Sequence, residues 1–295
     1  MDATRNRDKQ AVVTSAISEI SHIATLPEIT LKIIELVEDP NSTAHDLHNI
    51  ISNDPALCSR ILKVVNSAFY GLPRQIGSIN RAIVLLGLNA VKNIAIAASL
   101  TKLFRGGELC SRFSAKDLWI HSIATASCSK LICDELSMGV SDEAFLAGLI
   151  HDIGIMVEVQ SMRHELLQVF EEMTFDATGV PTSDMCEVEE RIIGATHEDF
   201  GAGLCEAWKF PKALTLVTRH HHDPTQLPKD ERTLVSIVYL ADRLSAACGY
   251  GFRTDLQSLE IDPVILDELG ISPEQVDFIK TNLPQAFDEI EATFG

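Results

Sequence analysis

Positive charge is scarce in this sequence. Across 295 residues, 24 Lys and Arg stand against 42 Asp and Glu, a formal net charge of −18. Such a chain repels phosphate backbones, so nucleic acid is not expected as a partner, although a phosphorylated small molecule neutralised by metal is compatible with it. Long hydrophobic runs are lacking too. No uninterrupted apolar run reaches the ~18 residues that a membrane-spanning helix needs, and no membrane partner is expected. The first ten residues are polar and hold no apolar core of an export signal. The seven cysteines (Cys58, Cys110, Cys128, Cys133, Cys186, Cys205 and Cys248) are scattered and form no Cys-x-x-Cys pair. They read as reduced core residues of a cytoplasmic protein. There is no internal repeat and no low-complexity tract, and the alternating pattern of strands is rare.

What is present is an apolar share of 46% with 22% charged residues, enough to bury a sizeable core. The period is helical almost throughout, and short loops between helices predict an all-α bundle. Helices are expected from Val12, from Ile29, and after Asn41-Ser42-Thr43. Asp54-Pro55 is a helix start, with a capping carboxylate ahead of proline at the first helical position. A long apolar helix is expected over 79–103, with Gly87 inside it. Arg105-Gly106-Gly107 is the expected domain boundary, dividing an N-terminal helical part (1–107) from a C-terminal helical domain (108–295). Ser114 and Ser141 are expected N-caps of the next helices, and an acidic, less ordered stretch is expected over 171–184. Asp262-Pro263 and Ser272-Pro273 start the last two helices, the second with Gln275 completing a capping box.

The second half also carries His121, His151, Asp152, His197, His220, His221 and Asp242, each on or at the edge of an expected helix. Singly, each has an ordinary explanation. His151-Asp152 could be a solvated helix end with Gly154 as its stop signal. His121 could be a satisfied core histidine, the His220–His222 run could meet a helix dipole, and Asp242 could pair with Arg243. Together they bring imidazoles and carboxylates from several helices into one bundle core, the way helical bundles build di-metal sites. With N and O donors only, the fitting ions are Fe, Mn, Zn or Ni, in one or two copies. Two ions bridged by a carboxylate could activate water and clamp a phosphoryl oxygen.

In that order the residues resemble the HD superfamily of metal-dependent phosphohydrolases. The resemblance assigns His121, His151, Asp152 and Asp242 to one metal, and Asp152, His197 and His220 or His221 to a second, with Asp152 as the residue central to catalysis. Asp117 matches an acidic position that holds a further metal in some relatives; its ordinary role is a carboxylate in the first helical turn. Asn66-Ser67-Ala68-Phe69-Tyr70 and Ile76-x-Ser78-Ile79-x-x-Ala82-Ile83-x-x-Leu86-Gly87 resemble the signature of the HDOD domain, an HD-related output domain of bacterial signalling proteins. This implies an N-terminal helical bundle packed on an HD-like bundle, a protein partner in a signalling pathway, and a regulatory role. Relatives that cleave cyclic di-guanylate carry a lysine directly after His-Asp-Ile-Gly, where this chain has Ile155. They also carry Gly-Tyr-Pro after His-His-Glu, where it reads His222-Asp223-Pro224. Without that lysine a phosphate-binding cation is missing. The resemblance thus implies a signalling module with a retained metal site and little catalysis, or alternatively an active phosphohydrolase of nucleotides or cyclic nucleotides.

Overall fold

The computed structural model describes residues 2–23, 28–39, 41–101, 103–104 and 108–294, with the side chains of 2–8, 21–23, 37–38 and 108 left aside. Among these residues the fold is all-α apart from an antiparallel hairpin, β1 (Glu108–Cys110) with β2 (Phe113–Ser114), and an isolated bridge from Phe175 to Pro181. The first half contains α1 (Asp2–Ile23), α2 (Glu28–Glu38), α3 (Ala44–Ser52), α4 (Pro55–Val65), a 3-10 turn over Ala68–Tyr70, α5 (Ile79–Leu86) and α6 (Leu88–Leu100). The second contains α7 (Ala115–Glu135), α8 (Ser141–Ile150), α9 (Ile153–Ser161), α10 (Arg163–Glu172), α11 (Met185–Ile192), α12 (His197–Ala207) and α13 (Lys212–His220). A 3-10 turn at Pro224–Gln226 leads to α14 (Thr233–Ala247), α15 (Pro263–Leu269) and α16 (Pro273–Phe294).

Local chemistry sets the helix starts. The Thr43 hydroxyl and the Asp46 carboxylate cap α3 reciprocally. The Asp54 carboxylate accepts from Leu57 N at 2.9 Å ahead of Pro55. From there α4 buries Leu57, Ile61, Val64 and Val65, one stripe at helical spacing. Burying each such side chain contributes ~1.5–3 kcal/mol. Asn66 then closes the following loop: its Oδ1 accepts from Ile76 N at 2.6 Å and its Nδ2 donates to Ile76 O at 2.9 Å.

Several expectations need correction. The long helix over 79–103 is two helices, because Gly87 adopts φ +92°, ψ 162° and breaks the chain between α5 and α6. That φ is open to glycine and strained for other residues. Ser141 does not cap α8. It occupies the first helical position, and its hydroxyl donates instead to Asp134 Oδ1. The stretch 171–184 is ordered by the Asp176 carboxylate, which accepts from Thr178 N, Thr178 Oγ1 and Val180 N. The expected break at Leu26-Pro27 and the expected boundary at Arg105-Gly106-Gly107 lie outside the described residues.

One continuous apolar core runs from Val13 and Ile20 of α1 through both halves to Ile290 of α16. Helix α1 packs on α9 and α12, and α16 reaches back to α4, so each end of the chain lies against the opposite half. Helices α7 and α8 are central. Helix α8 is buried from Ala144 to Ile150, on every face. By length and composition 141–161 would also suit a membrane span, which the sequence reading did not anticipate; 83% of that window is buried inside the protein, as in a core helix pair.

Candidate metal centre

Five elements deliver the candidate side chains. His121 lies in the second turn of α7, and Asp242 in the middle of α14. His151 and Asp152 form the step between α8 and α9. His197 opens α12, set by a capping box between Thr196 and Asp199. His221 terminates α13. The step at 151–152 is held by close backbone contact on both sides. A Cβ on Gly148 would lie 2.8 Å from Thr125 O of α7, and one on Gly154 would lie 1.8 Å from His197 O. Gly154 is therefore no stop signal, since α9 begins at Ile153 and runs through it. Its missing side chain lets α9 touch the start of α12.

Three imidazoles are oriented by their Nδ1 atoms. His151 Nδ1 donates to Gly148 O at 2.8 Å, and His121 Nδ1 lies 3.3 Å from Tyr250 O. His197 Nδ1 lies 2.9 and 3.1 Å from the oxygens of Glu189. Carbonyl and carboxylate oxygens only accept, so the proton sits on Nδ1 and each Nε2 keeps a lone pair in the neutral ring. Those Nε2 atoms converge. His121 Nε2 is 3.0 Å from Asp242 Oδ1, and His151 Nε2 is 3.3 Å from Asp152 Oδ2. Asp152 Oδ1 faces the other way, 3.2 Å from His221 Nε2 and 3.9 Å from His197 Nε2. Asp152 thus offers one oxygen to each of two groups. His121, His151 and Asp242 bring ligand atoms within 4.8 Å of one another, as do Asp152, His197, His221 and His222.

These contacts are close but are not satisfied hydrogen bonds. His151 Nε2, both oxygens of Asp152, both nitrogens of His221 and both oxygens of Asp242 are buried with no hydrogen-bond partner. Native interiors rarely tolerate this. Burial would hold His151 neutral, yet the Asp152 carboxylate, and Asp242 behind it, push it up to about 9. Burial opposes the charge of Asp152, but His151 and His221 draw it well below the usual carboxylate range. Imidazole nitrogens and carboxylate oxygens aimed at shared points, buried and without hydrogen bonds, fit a bound metal ion.

The HDOD domain family model matches residues 23–224. The chain belongs to the HDOD family. It is 25% identical to an HDOD domain protein from Geobacter sulfurreducens, with a TM-score of 0.75 and coverage of 98% of this chain and 97% of that one. A candidate signal transduction protein from Marinobacter aquaeolei VT8 shares the fold at 23% identity and TM-score 0.74, over 97% of this chain and 65% of its own. So does a candidate phosphohydrolase from Shewanella amazonensis SB2B, at 20% identity and TM-score 0.72, over 97% and 98%. An uncharacterized protein of Treponema pallidum (strain Nichols) is 24% identical over 251 residues, 82% of this chain and 46% of the relative, so this chain spans about half that relative's length.

Within this HDOD fold, His121, His151, Asp152, His197, His221 and Asp242 come together. His220 does not: it is the last residue of α13, half-buried, and belongs to no ligand cluster among the described residues. The helix ends there, so the chain turns inward at His221 and His222 instead. Asp117 is exposed, and Ser114 Oγ donates to its carboxylate at 2.7 Å, a helix-start arrangement. Four residues outside the expected ligand set belong to the surroundings, among them His222, which the sequence offered only as part of a run at a helix end. His222 Nε2 lies 2.9 Å from His197 Nε2, an approach that requires a proton or a cation between two lone pairs. Glu189 orients His197, Glu158 lies buried behind it, and Asp255 lies beside His222. Glu189 had a legible signal, because it falls on the apolar face of α11 with Met185 and Val188. Asp255 had none, since its connection has no periodicity.

Proposed function

We propose that this HDOD chain is a signalling module built on a divalent-metal centre, with weak or absent catalysis, acting through a protein partner. Closure of the centre carries the reading. The side chains of His121, His151, Asp152, His197, His221 and Asp242 are 0% exposed. Closed sites favour a structural or regulatory ion, whereas catalytic sites keep a position open to substrate. Ile155 supports the same reading: it is fully buried where a phosphate-binding lysine would serve hydrolysis. In this reading the ion stiffens the bundle and the outer helical surface presents the signal. Val84 and Leu85 of α5, 81% and 51% exposed, are the apolar residues available to such a partner on that helix. A bacterial, cytoplasmic setting goes with this role.

A second reading has one observation in its favour. Asp152 presents one oxygen to each ligand set, the arrangement two-metal hydrolases use on phosphate esters. Bound there, the ions would supply Lewis acidity and an activated water, and the substrate would be a phosphorylated small molecule.

Elemental analysis of protein purified without added metal tests the centre, with one or two transition ions per chain expected. Protein free of stoichiometric metal overturns it. A screen of phosphodiesters and nucleotides with Mn(II) or Fe(II) then separates the readings. Turnover that disappears in Asp152→Ala favours the hydrolase; no turnover above that variant's background favours the signalling module.

A further inference from the structure

One buried carboxylate belongs to neither ligand set. Asp255 lies on the connection 248–262 between α14 and α15, with its side chain 0% exposed. Neither of its oxygens has a hydrogen-bond partner, a costly state for a polar group in the interior. His222 Nε2 lies 3.8 Å from Asp255 Oδ2. That is too long for a hydrogen bond but within reach of two ligands each about 2.1 Å from one ion. His222, Asp242 and Asp255 offer one atom each, all within 4.8 Å of one another. The local charge points the same way. Asp152, Asp242 and Asp255 are three buried carboxylates, and the Arg243 guanidinium keeps its Nη1 3.7 Å from Asp242 Oδ2.

We propose that His222, Asp242 and Asp255 bind a further divalent cation at the edge of the metal centre. This rests on the reading of that centre as metal-binding and extends it. One imidazole and two carboxylates make an oxygen-rich set, suited to Mn(II) or Fe(II). The His222 side chain is 16% exposed while those of His121, His151, Asp152, His197 and His221 are closed, so an ion that it holds exchanges with solvent more readily than one held by those five alone. Binding it fastens the 248–262 connection to the end of α13 and the middle of α14. Gln257 of the same connection donates to Thr182 O at 2.8 Å, so cation occupancy is joined to the surface turn at 174–183.

The test is Mn(II) titration of the full chain by calorimetry, with metal content measured by mass spectrometry, for the wild type, Asp255→Asn and His222→Gln. Asparagine keeps the shape of Asp255 and removes the charge, and circular dichroism checks that both variants fold. The expected result is one Mn(II) equivalent fewer, or that equivalent bound at least about tenfold more weakly, in Asp255→Asn, with the ions at His151 and Asp152 retained; His222→Gln, which also takes a donor from the group of Asp152, His197 and His221, should lose at least that equivalent. Equal stoichiometry and affinity in wild type and Asp255→Asn overturns the proposal and leaves the centre standing; a proton then neutralises Asp255. Wild type that binds no Mn(II) and carries no other transition ion overturns the centre and this proposal together.

Discussion

Each half of the molecule buries polar groups, and they are treated differently: among the described side chains of the first half, Thr30 Oγ1 and Arg60 Nε are the buried atoms left without a hydrogen-bond partner. In the first half Lys92 of α6 is 2% exposed, and its ammonium donates to Leu36 O at 2.6 Å and Ser42 Oγ at 2.8 Å. In the second half His151 Nε2 and the side-chain polar atoms of Asp152, His221, Asp242 and Asp255 crowd together without hydrogen bonds. The helices differ in the same sense. Helices α3 and α4 bury one stripe each and begin at well-formed caps, whereas α8 is buried all round and has no side-chain cap. A fold that satisfies its polar groups in one place and leaves them unsatisfied in another marks the second place as a site.

The largest expected effect attacks the step that makes the site. Gly154→Ala puts a methyl group 1.8 Å from His197 O, a backbone atom with no rotamer to yield. The expected cost is about 4 kcal/mol in denaturant unfolding, with loss of bound metal. Wild-type stability and metal content in this variant would break the account of how α9 and α12 hold the doublet. Gly203→Ala is the sharper control. It meets the Val13 Cγ1 methyl at 2.5 Å, a side-chain atom that can turn away, so it should cost far less and keep the metal.

Next comes the metal itself. At a free Mn(II) concentration of 100 times Kd, the wild type should gain about 2.7 kcal/mol. His151→Ala with Asp152→Ala should remove the larger part of that gain, because the two residues serve both ligand sets, and leave at most the share of a cation at His222, Asp242 and Asp255. Denaturant unfolding with Mn(II) and with chelator checks it. The full gain retained in the double variant would mean that these two sets do not hold the ion, and the contrast between the halves would lose its chemical meaning.

The all-α class and most helix starts were legible because capping and proline chemistry are local. Thr43, Asp54, Ser114 and Ser272 act as their sequence contexts suggest. The split at Gly87 was not, since a glycine inside an apolar run reads as a packing residue until its φ is known. At the candidate centre the spacing of His121, His151, Asp152, His197 and Asp242 was legible, but the phase of the His220–His222 run was not. Which two of three consecutive histidines turn inward depends on where α13 ends, and helix ends are the least legible feature of a sequence. Asp255 comes from an aperiodic connection, placed by tertiary packing alone.

The two remaining tests probe the satisfied half, where effects should be smaller and metal content should not change. Lys92→Ala strands Leu36 O and Ser42 Oγ and should cost about 2 kcal/mol. Lys92→Met keeps the apolar stem and should fall closer to wild type. A loss of metal in either variant would show that the halves are coupled and sharpen the signalling reading, because the shared core would then transmit the change.

The smallest effect is expected from Asp54→Ala. It removes the acceptor of Leu57 N at the start of α4 and should cost about 1 kcal/mol. Pro55 still presets the first turn, and Leu57, Ile61, Val64 and Val65 still bury their stripe, so the helix should persist. Because α16 packs on α4, and Lys63 Nζ donates to Ala292 O at 2.7 Å, any loosening of α4 reaches the C-terminal helix before it reaches the metal centre. Hydrogen exchange should therefore speed up in α4 and α16 and stay unchanged at 148–154. Equal acceleration in both places would mean that the two halves open as one unit, and that their separate rules for burying polar groups do not correspond to separate stabilities.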